Sequence, residues 1–412
     1  MRRDRSKTSQ NAVIPRHIHY IRDIQYRLRY DQKGERDAVE HLSEVMKILD
    51  AALMHDPGKA GAYGQLLATK LEEEGQGRQA RAVRSVLSKV PTSGISASYV
   101  NAKPPMDAEN ALSVVDVTFP DALAERDLAL HPYVSSRVDE FLESVRLHDQ
   151  WAADGVASAN RLLIYGPPGT GKTSIAKLIA QELKLPLMTS RSDALMSSLL
   201  GQTSRNLRSV FDYAAAQPCV LFLDEFDAFA KSRNDSREIG ELQRVVIALL
   251  QNIDALDPST IVIAATNHSQ LLDPAVWRRF EFTIRVDLPG DHERTEIWRV
   301  HLGSHVPAEP DLTRLVHLSH GLSGAAIELA AKDIARAAIR DNTATVALPV
   351  MLRRLARICW FDSYSRFQDV PSEIAALRTW SPEVFTVRAL AELFGVSTRQ
   401  VTNAIAKADA DA

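Results

Sequence analysis

The sequence predicts an α/β fold in which a parallel sheet is flanked by helices and framed by N-terminal and C-terminal helical segments. Three observations lead to this prediction. A glycine-rich stretch, Gly166–Thr173, lies between an apolar strand and an amphipathic helix. Two more apolar runs, 219–223 and 261–265, end in polar residues, as strands buried in a parallel sheet do. Helical periodicity dominates both ends of the chain.

Composition sets broad limits on the protein. With 412 residues the chain can form roughly two to four domains. A net charge of −3 argues against a protein devoted overall to nucleic acid. No apolar run approaches the roughly 18–20 residues that span a bilayer, and the polar residues 8–11 exclude a secretory signal after the basic start. Cys219 and Cys359 are far apart and lack metal-ligand spacing, which fits a reducing cytosol. We therefore expect a cytoplasmic protein, and no membrane segment.

Residues 1–90 are predicted to form an N-terminal helical domain with a basic arm. Residues 1–30 carry eight Lys or Arg against two Asp, which fits either a solvated terminus or contact with nucleic acid or an acidic partner. Three helices should follow, separated near 55–58 and 75–77. This helical unit either recognises a partner or packs on the main domain.

Residues 91–112 are predicted to be a linker, and 113–289 a large α/β domain. The linker is rich in Pro, Ser, Gly and Ala and has little periodicity. The domain is expected to begin with one helix, Val134–Trp151, whose apolar face includes Phe141 and Leu142.

The glycine-rich stretch matches the pattern G-x-x-x-x-G-K-[ST] of a phosphate-binding loop. Glycines let backbone N–H groups surround phosphate oxygens, Lys172 can reach the outer phosphates, and Thr173 can bind Mg²⁺. A simple Gly/Pro turn before a helix is the alternative, which the strand–loop–helix context disfavours. The predicted nucleotide contacts in the loop are Gly166, Pro167, Pro168, Gly169, Thr170, Gly171, Lys172 and Thr173.

Two adjacent carboxylates follow the apolar run that begins at Cys219. Burial of the strand puts Asp224 and Glu225 at its carboxyl end, the edge where open parallel sheets bind ligands. Asp224 is placed to hold Mg²⁺ and Glu225 to polarise the water that attacks the γ-phosphate. Asn267 follows the run 261–265 in the same way, although spacing alone favours an ordinary turn residue there.

Taken together, the motifs 166–173, 221–225, 265–267 and 272–280 resemble the AAA ATPase module of the AAA+ superfamily over about residues 120–360. The resemblance implies a P-loop NTPase fold and an ATPase with ATP and Mg²⁺ as ligands. It further implies that Asn267 senses the γ-phosphate and that Ser174 adds a nucleotide contact.

By the same resemblance, the segment 272–280 holds the arginine fingers of the family. Arg279 precedes Phe280 and is the first candidate, with Arg278 as its partner. A finger that acts on a neighbouring subunit requires a ring, usually a hexamer, of identical chains. Without the resemblance, two adjacent arginines before a strand would more often be a solvated surface.

Residues 290–368 are predicted to form the helical lid. The segment Gly321–Glu328 resembles the G-x-S-G-A-D motif of the family, with Ala326 in place of the Asp. Gly324 and Ala325 should let the lid helix approach the nucleotide closely.

Ser198–Gly201 occupies the position of the pore loop of protein-threading relatives, with Leu199 replacing the aromatic residue. Leu199 either contacts a polypeptide or packs within its loop.

The C-terminal segment, 369–412, resembles a helix-turn-helix. A helix is expected to start at Ser381-Pro382 and a second helix to follow Gly395. Four side chains of the second helix should point outward: Thr398, Arg399, Thr402 and Asn403. They could read a DNA groove, but the zero net charge of 378–412 weakens phosphate attraction and leaves a protein-docking hairpin open.

The sequence therefore predicts an ATP-hydrolysing ring motor or switch that remodels or regulates a protein partner. The alternative is a DNA-associated ATPase anchored by the C-terminal segment. The arrangement of the segments also resembles bacterial ATPases paired with a subtilisin-like serine protease in plasmid-maintenance or anti-phage modules.

Overall fold

A computed structural model describes most of the chain from residue 41 onward. The described ranges are 41–53, 57–87, 105–106, 113–123, 128–191, 200–227, 239–305, 307, 309–343, 346–360 and 369–411. The basic arm, most of the predicted linker and Leu199 lie outside them. The chain divides into two compact units, one of which combines the N-terminal helices with residues 143–159 and 216–218.

Three helices begin the described part of the first unit: α1 (Leu42–Leu53), α2 (Pro57–Glu73) and α3 (Gly77–Leu87). They confirm the three predicted helices. Ala51, Ala68 and Ala80 are buried between them, so the interfaces use small side chains that allow close packing.

The single helix expected over Val134–Trp151 is instead two helices. Helix α4 (Pro132–Arg146) ends before Leu147, and α5 (His148–Asp154) follows. The two pieces have different packing partners, which explains the break: Phe141 of α4 packs edge-on against Phe282, whereas Asp149 of α5 accepts a hydrogen bond of 2.9 Å from the Ser43 N–H. Burial raises the pKa of Asp149 above the ordinary value for an aspartate.

A six-stranded sheet forms the centre of the second unit, in the order β1-β3-β4-β5-β2-β6. Its strands are β1 (Val115–Thr118), β2 (Arg161–Tyr165), β3 (Leu187–Ser190), β4 (Val220–Leu223), β5 (Ile261–Thr266) and β6 (Phe282–Arg285). Strands β3, β4, β5, β2 and β6 are parallel, which confirms the predicted fold class, and β1 adds an antiparallel edge. Every residue of β4 and β5 is buried, in keeping with their continuous apolar sequence.

Helices connect the strands of this sheet: α6 (Lys172–Glu182), α7 (Leu200–Ala215), α8 (Ile239–Ala255) and the short α9 (Pro274–Trp277). Helix α6 buries Ile175 and Ile179, as its periodicity predicts. The strand register pairs Leu223 with Ala264 and Tyr165 with Thr266. Because β4, β5 and β2 are adjacent and parallel, the residues that follow them meet at one edge of the sheet.

Seven helices follow the sheet in the described residues. The lid contains α10 (Asp291–Leu302), α11 (Glu309–Leu318), α12 (Gly324–Arg340) and α13 (Leu348–Cys359), and the C-terminal segment contains α14 (Val370–Trp380), α15 (Val387–Phe394) and α16 (Thr398–Asp411). One apolar cluster extends through both, from Trp298 in α10 to Ala404 in α16. Phe385, Leu390 and Val401 are fully buried in it, so the C-terminal helices share their core with the lid.

The expected helix start at Ser381-Pro382 is wrong. Residues 382–386 form a turn, and α15 begins at Val387 because the Thr386 hydroxyl caps it by accepting a hydrogen bond of 3.2 Å from the Ala389 N–H. Gly395 then ends α15 in the left-handed conformation.

None of the helices in the described residues is both long enough and apolar enough to cross a membrane.

Candidate active site

The phosphate-binding loop, Gly166–Thr173, begins directly after β2 and ends in the first turn of α6. At Gly166 the backbone has a φ of 150°, and a Cβ atom would lie 1.9 Å from the carbonyl oxygen of Val286. Only glycine fits there, because any side chain would displace the strand end that packs beside the loop. The packing of the loop against Val286 therefore requires the first glycine of the motif.

Lys172 lies within the curve of this loop. Its ammonium group donates hydrogen bonds of 2.9 Å and 2.7 Å to the carbonyl oxygens of Gly166 and Pro167. Burial lowers the pKa of Lys172, and the nearby carboxylates of Asp224 and Asp227 oppose that shift. The lysine is thus positioned by the backbone of the loop that it serves.

The start of lid helix α12 lies directly against the loop. The Ala325 N–H donates a hydrogen bond of 3.0 Å to the carbonyl oxygen of Gly169. A Cβ atom on Gly169 would lie 2.7 Å from the Ser323 hydroxyl, and one on Gly324 would lie 3.5 Å from the Gly169 oxygen. The lid helix therefore approaches the loop closely at Gly324 and Ala325, with Ser323 as the helix cap, and its approach to a nucleotide stays a prediction.

The acidic turn, Asp224–Asp227, follows β4 at the same edge of the sheet. Asp224 accepts hydrogen bonds from the hydroxyl of Thr173 at 3.0 Å and from the N–H of Glu225 at 2.9 Å. The turn thereby places a hydroxyl and a carboxylate side by side, a donor set that suits Mg²⁺, which binds through one or two carboxylates together with phosphate oxygens. Glu225 is exposed and has a φ of 49°.

Asn267 is the residue directly after β5. The end of β5 is bonded to the acidic turn, since the Phe226 N–H donates a hydrogen bond of 2.8 Å to the Ala265 carbonyl oxygen. The sheet therefore brings together at one edge the phosphate-binding loop, both carboxylates and Asn267, as expected from three separate stretches of sequence.

The two arginines of the predicted finger segment have different surroundings. Arg279 is held inside its own chain: its Nη2 lies 3.1 Å from Asp254, its Nε lies 3.3 Å from the same carboxylate, and its Nη1 donates to the Ala275 carbonyl oxygen at 3.0 Å. Arg278 is exposed and forms no ion pair within the described residues. Arg278 is thus the exposed arginine of the pair, and Arg279 is the one bonded within the chain.

Aromatic contacts fix the flanks of this arginine pair. Trp277 packs edge-on against Tyr165 at the end of β2, with ring centroids 5.2 Å apart. Phe280 packs edge-on against Phe226 of the acidic turn, at 5.8 Å. Both flanks of the pair are therefore tied to the strand ends that carry the loop and the carboxylates.

A cavity of about 150 Å³ lies beside α6, and most of its lining residues belong to no sequence motif. It is lined by Thr118, Ala122, Leu123, Leu128, Ser174, Lys177, Leu178 and Gln181. Ser174, a predicted nucleotide contact, is among these residues. The loop after β1 has no recognisable motif, so its part in this cavity emerges only from the fold.

Comparison with known proteins agrees with this geometry. Residues 162–288 match the model of the ATPase family associated with various cellular activities (AAA). The chain contains an AAA ATPase domain. The match runs from β2 through β6 and includes the phosphate-binding loop, the acidic turn, Asn267 and both arginines.

Similar proteins come from bacteria and archaea. An uncharacterized AAA family ATPase of Sinorhizobium fredii, y4kL, is 47% identical over 148 residues, which are 36% of this chain and 45% of that protein. A proteasome-activating nucleotidase of Archaeoglobus fulgidus is 34% identical over 224 residues, 52% of this chain and 56% of that protein. One from Saccharolobus islandicus is 35% identical over 212 residues, 50% of this chain and 54% of that protein. The chain spans about half the length of these curated relatives.

Proposed function

We propose that the protein hydrolyses ATP to ADP and phosphate at the edge of its sheet, with Mg²⁺ as cofactor. The observation that carries this proposal is the hydrogen bond of 3.0 Å between the Thr173 hydroxyl and the Asp224 carboxylate. This bond joins the phosphate-binding loop to the acidic turn. One location therefore offers hydrogen-bond donors to phosphate, two oxygens that can bind a metal ion and an adjacent carboxylate at Glu225.

Each side chain of the site has a separate role in this proposal. Lys172 and the N–H groups of the loop bind the phosphates, and the nearby carboxylates of Asp224 and Asp227 favour the charged form of the lysine. Thr173 and Asp224 would hold Mg²⁺, which supplies charge neutralisation on the phosphate oxygens. Glu225 orients the attacking water and accepts its proton, and Asn267 contacts the γ-phosphate.

The nucleoside end of ATP is proposed to occupy the cavity beside α6. Leu123, Leu128 and Leu178 provide an apolar wall, and Ser174 connects the cavity to the phosphate-binding loop. An aromatic base needs such a wall, while its polar edge is recognised by backbone groups that carry no sequence signature.

A ring of identical subunits, with six as the expected number, completes the proposed site. The exposure of Arg278 supports this, because an exposed guanidinium can contact a neighbouring subunit and stabilise charge on the γ-phosphate bound there. Arg279, held by Asp254, is proposed to support the segment that presents Arg278.

The work of the ring is proposed to be the remodelling of a protein partner. Relatives named proteasome-activating nucleotidases support a protein as the object. Leu199 would contact that protein in the pore, and a subtilisin-like serine protease remains a candidate partner that rests on the arrangement of the segments alone.

The Glu225→Gln substitution tests the ATPase proposal. It keeps the shape and a hydrogen-bonding oxygen of the side chain but removes its basicity, so we expect ATP to bind as in the wild type while steady-state phosphate release is lost. Glu182→Gln, the same change at an exposed position near the end of α6, should leave both unchanged. Normal phosphate release by Glu225→Gln would refute the role of Glu225, and no phosphate release by the wild type would refute the ATPase proposal.

A second candidate function, DNA binding by the C-terminal segment, has one favourable observation. Thr398, Arg399, Thr402 and Asn403 are exposed on α16. If they read a groove, the Arg399→Ala chain should bind duplex DNA more weakly than the wild type at low salt, and the affinity of both should fall steeply as salt rises. Absence of wild-type binding at low salt would eliminate this candidate.

A further inference from the structure

The proposed roles leave one buried carboxylate of the acidic turn without a function. Asp227 is 7% exposed and accepts a hydrogen bond of 2.9 Å from the hydroxyl of Thr266, which is 1% exposed. A carboxylate is costly to bury unless its oxygens are paired, so this contact is a specific one.

The Thr266 hydroxyl makes a second hydrogen bond, which spans Asn267, the proposed sensor residue. Its oxygen accepts from the His268 N–H at 3.0 Å. A hydroxyl has one hydrogen to donate, and Asp227 determines where that hydrogen points and therefore which lone pair faces His268. Asn267 is the residue between Thr266 and His268, so its backbone is held on both sides by this arrangement.

The acidic turn is bonded to β5 at consecutive positions. Phe226 donates from its N–H to the Ala265 carbonyl oxygen at 2.8 Å, and Asp227 accepts from Thr266, the next residue along β5. Glu225 directly precedes this pair of bonds in the turn, and Asn267 directly follows it at the end of β5. The distance between the two proposed catalytic groups is therefore set by bonds in which neither takes part.

We propose that Asp227 is a positioning residue for ATP hydrolysis, which fixes Asn267 relative to Glu225 through the hydroxyl of Thr266. This inference rests on the proposed ATPase function. It requires the acceptor oxygen of Asp227 rather than its charge, because the contact that matters is with a neutral hydroxyl. Asp227 also lies close enough to Lys172 to interact electrostatically with it, so a role through charge is the competing explanation.

Four single variants and one double variant separate these explanations. Asp227→Asn and Thr266→Ser keep the acceptor and the hydroxyl, whereas Asp227→Ala and Thr266→Val remove them. We expect the first two to stay within about threefold of the wild-type kcat, and the other two to lose about tenfold or more, which corresponds to misplacement of one transition-state contact. The KM for ATP should change little in all four, and Asp227→Ala/Thr266→Val should lose no more than the worse single variant.

Several results would overturn the proposal. Equal losses in Asp227→Asn and Asp227→Ala would show that the charge of Asp227, acting on Lys172, matters instead, and a rise in KM without a fall in kcat would show a binding role. Additive losses in the double variant would show that the two residues act separately. Thermal unfolding of each variant identifies a folding defect, and the Thr266→Ser and Thr266→Val pair then decides the matter by itself. Failure of the ATPase proposal is recognised separately, by the absence of ATP hydrolysis in the wild-type protein.

Discussion

At the scale of single residues, Glu225 combines a proposed catalytic role with an unfavourable backbone. Its φ of 49° is left-handed, a conformation that costs a residue other than glycine about 1–2 kcal/mol. The bonds from the Glu225 N–H to Asp224 and from the Phe226 N–H to Ala265 hold it there. A strained residue at the proposed chemical centre indicates that stability is given up for the position of a carboxylate.

This strain predicts that two substitutions of Glu225 differ in their effect on the free energy of unfolding. Glu225→Gly should raise the free energy of unfolding by about 1 kcal/mol relative to Glu225→Ala, because glycine adopts a positive φ without a Cβ clash. Both variants should lack turnover. Urea denaturation of the two variants, side by side, measures the difference, and an equal or lower stability of the glycine variant would contradict the strain.

The two arginines are expected to affect different properties, Arg278 the rate of ATP turnover and Arg279 the stability of the fold. Arg278→Ala should leave the unfolding temperature unchanged and reduce kcat by about 10³-fold, since arginine fingers contribute about that much to phosphoryl transfer. Arg279→Ala should lower the free energy of unfolding by up to about 1 kcal/mol, because it removes a partly exposed ion pair with Asp254. Thermal unfolding and steady-state ATPase assays on both proteins test this, and wild-type turnover of Arg278→Ala would show that it is not the finger.

At the scale of elements, one arginine joins the lid to the C-terminal helices. The guanidinium of Arg353 on α13 makes two hydrogen bonds, of 2.7 Å and 2.8 Å, to the buried carboxylate of Glu373 on α14. It also lies over the ring of Phe394 on α15, 4.1 Å from the centroid. Three helices therefore meet at a single cation, next to the apolar cluster that they share.

Removal of this arginine should destabilise the whole helical part of the second unit. Arg353→Ala leaves the Glu373 carboxylate buried with its main partner gone, which we expect to cost about 2–3 kcal/mol. Arg357→Ala is the matched control: Arg357 lies 3.8 Å from the same carboxylate but is 55% exposed, so its loss should cost less than about 1 kcal/mol. Denaturation followed by tryptophan fluorescence reports on Trp298, Trp360 and Trp380 in or against this cluster. Equal effects of the two changes would disprove the special role of Arg353.

The shared cluster also determines how the C-terminal segment can be tested. Deletion of residues from 381 onward would remove Phe385, Leu390 and Val401 from the core of the lid, so loss of a function after such a deletion would reflect unfolding. Substitutions at the exposed positions of α16 avoid this difficulty.

At the scale of the whole molecule, the lid and the sheet meet at the phosphate-binding loop through the Ala325 to Gly169 hydrogen bond. Because the C-terminal helices share the core of the lid, any lid movement that accompanies nucleotide exchange carries them along. The proposed ring would in this way couple the ATP site of a subunit to both its lid and its C-terminal surface.

A shared site between subunits predicts complementation. Lys172→Ala removes a phosphate contact within a subunit, and Arg278→Ala removes a contact that a subunit gives to its neighbour, so a mixture of the two inactive chains should regain part of the ATPase activity. Steady-state phosphate release over a range of mixing ratios measures it, with rings verified by light scattering. Mixing Lys172→Ala with Glu225→Gln is the control and should restore no activity, because each of these variants damages the site of its own subunit. No recovery in intact mixed rings would contradict the role in the neighbouring subunit.

The sequence by itself determined the parallel sheet, the phosphate-binding loop, the acidic pair and the place of Asn267, because each depends on local patterns of apolar, glycine and charged residues. The tertiary structure alone decided the break at Leu147, the different environments of Arg278 and Arg279, and the contact between Asp227 and Thr266. It also placed the C-terminal helices in the core of the lid. These features depend on which side chains meet across distant parts of the chain, and the spacing of residues along one segment carries no information about its packing partner.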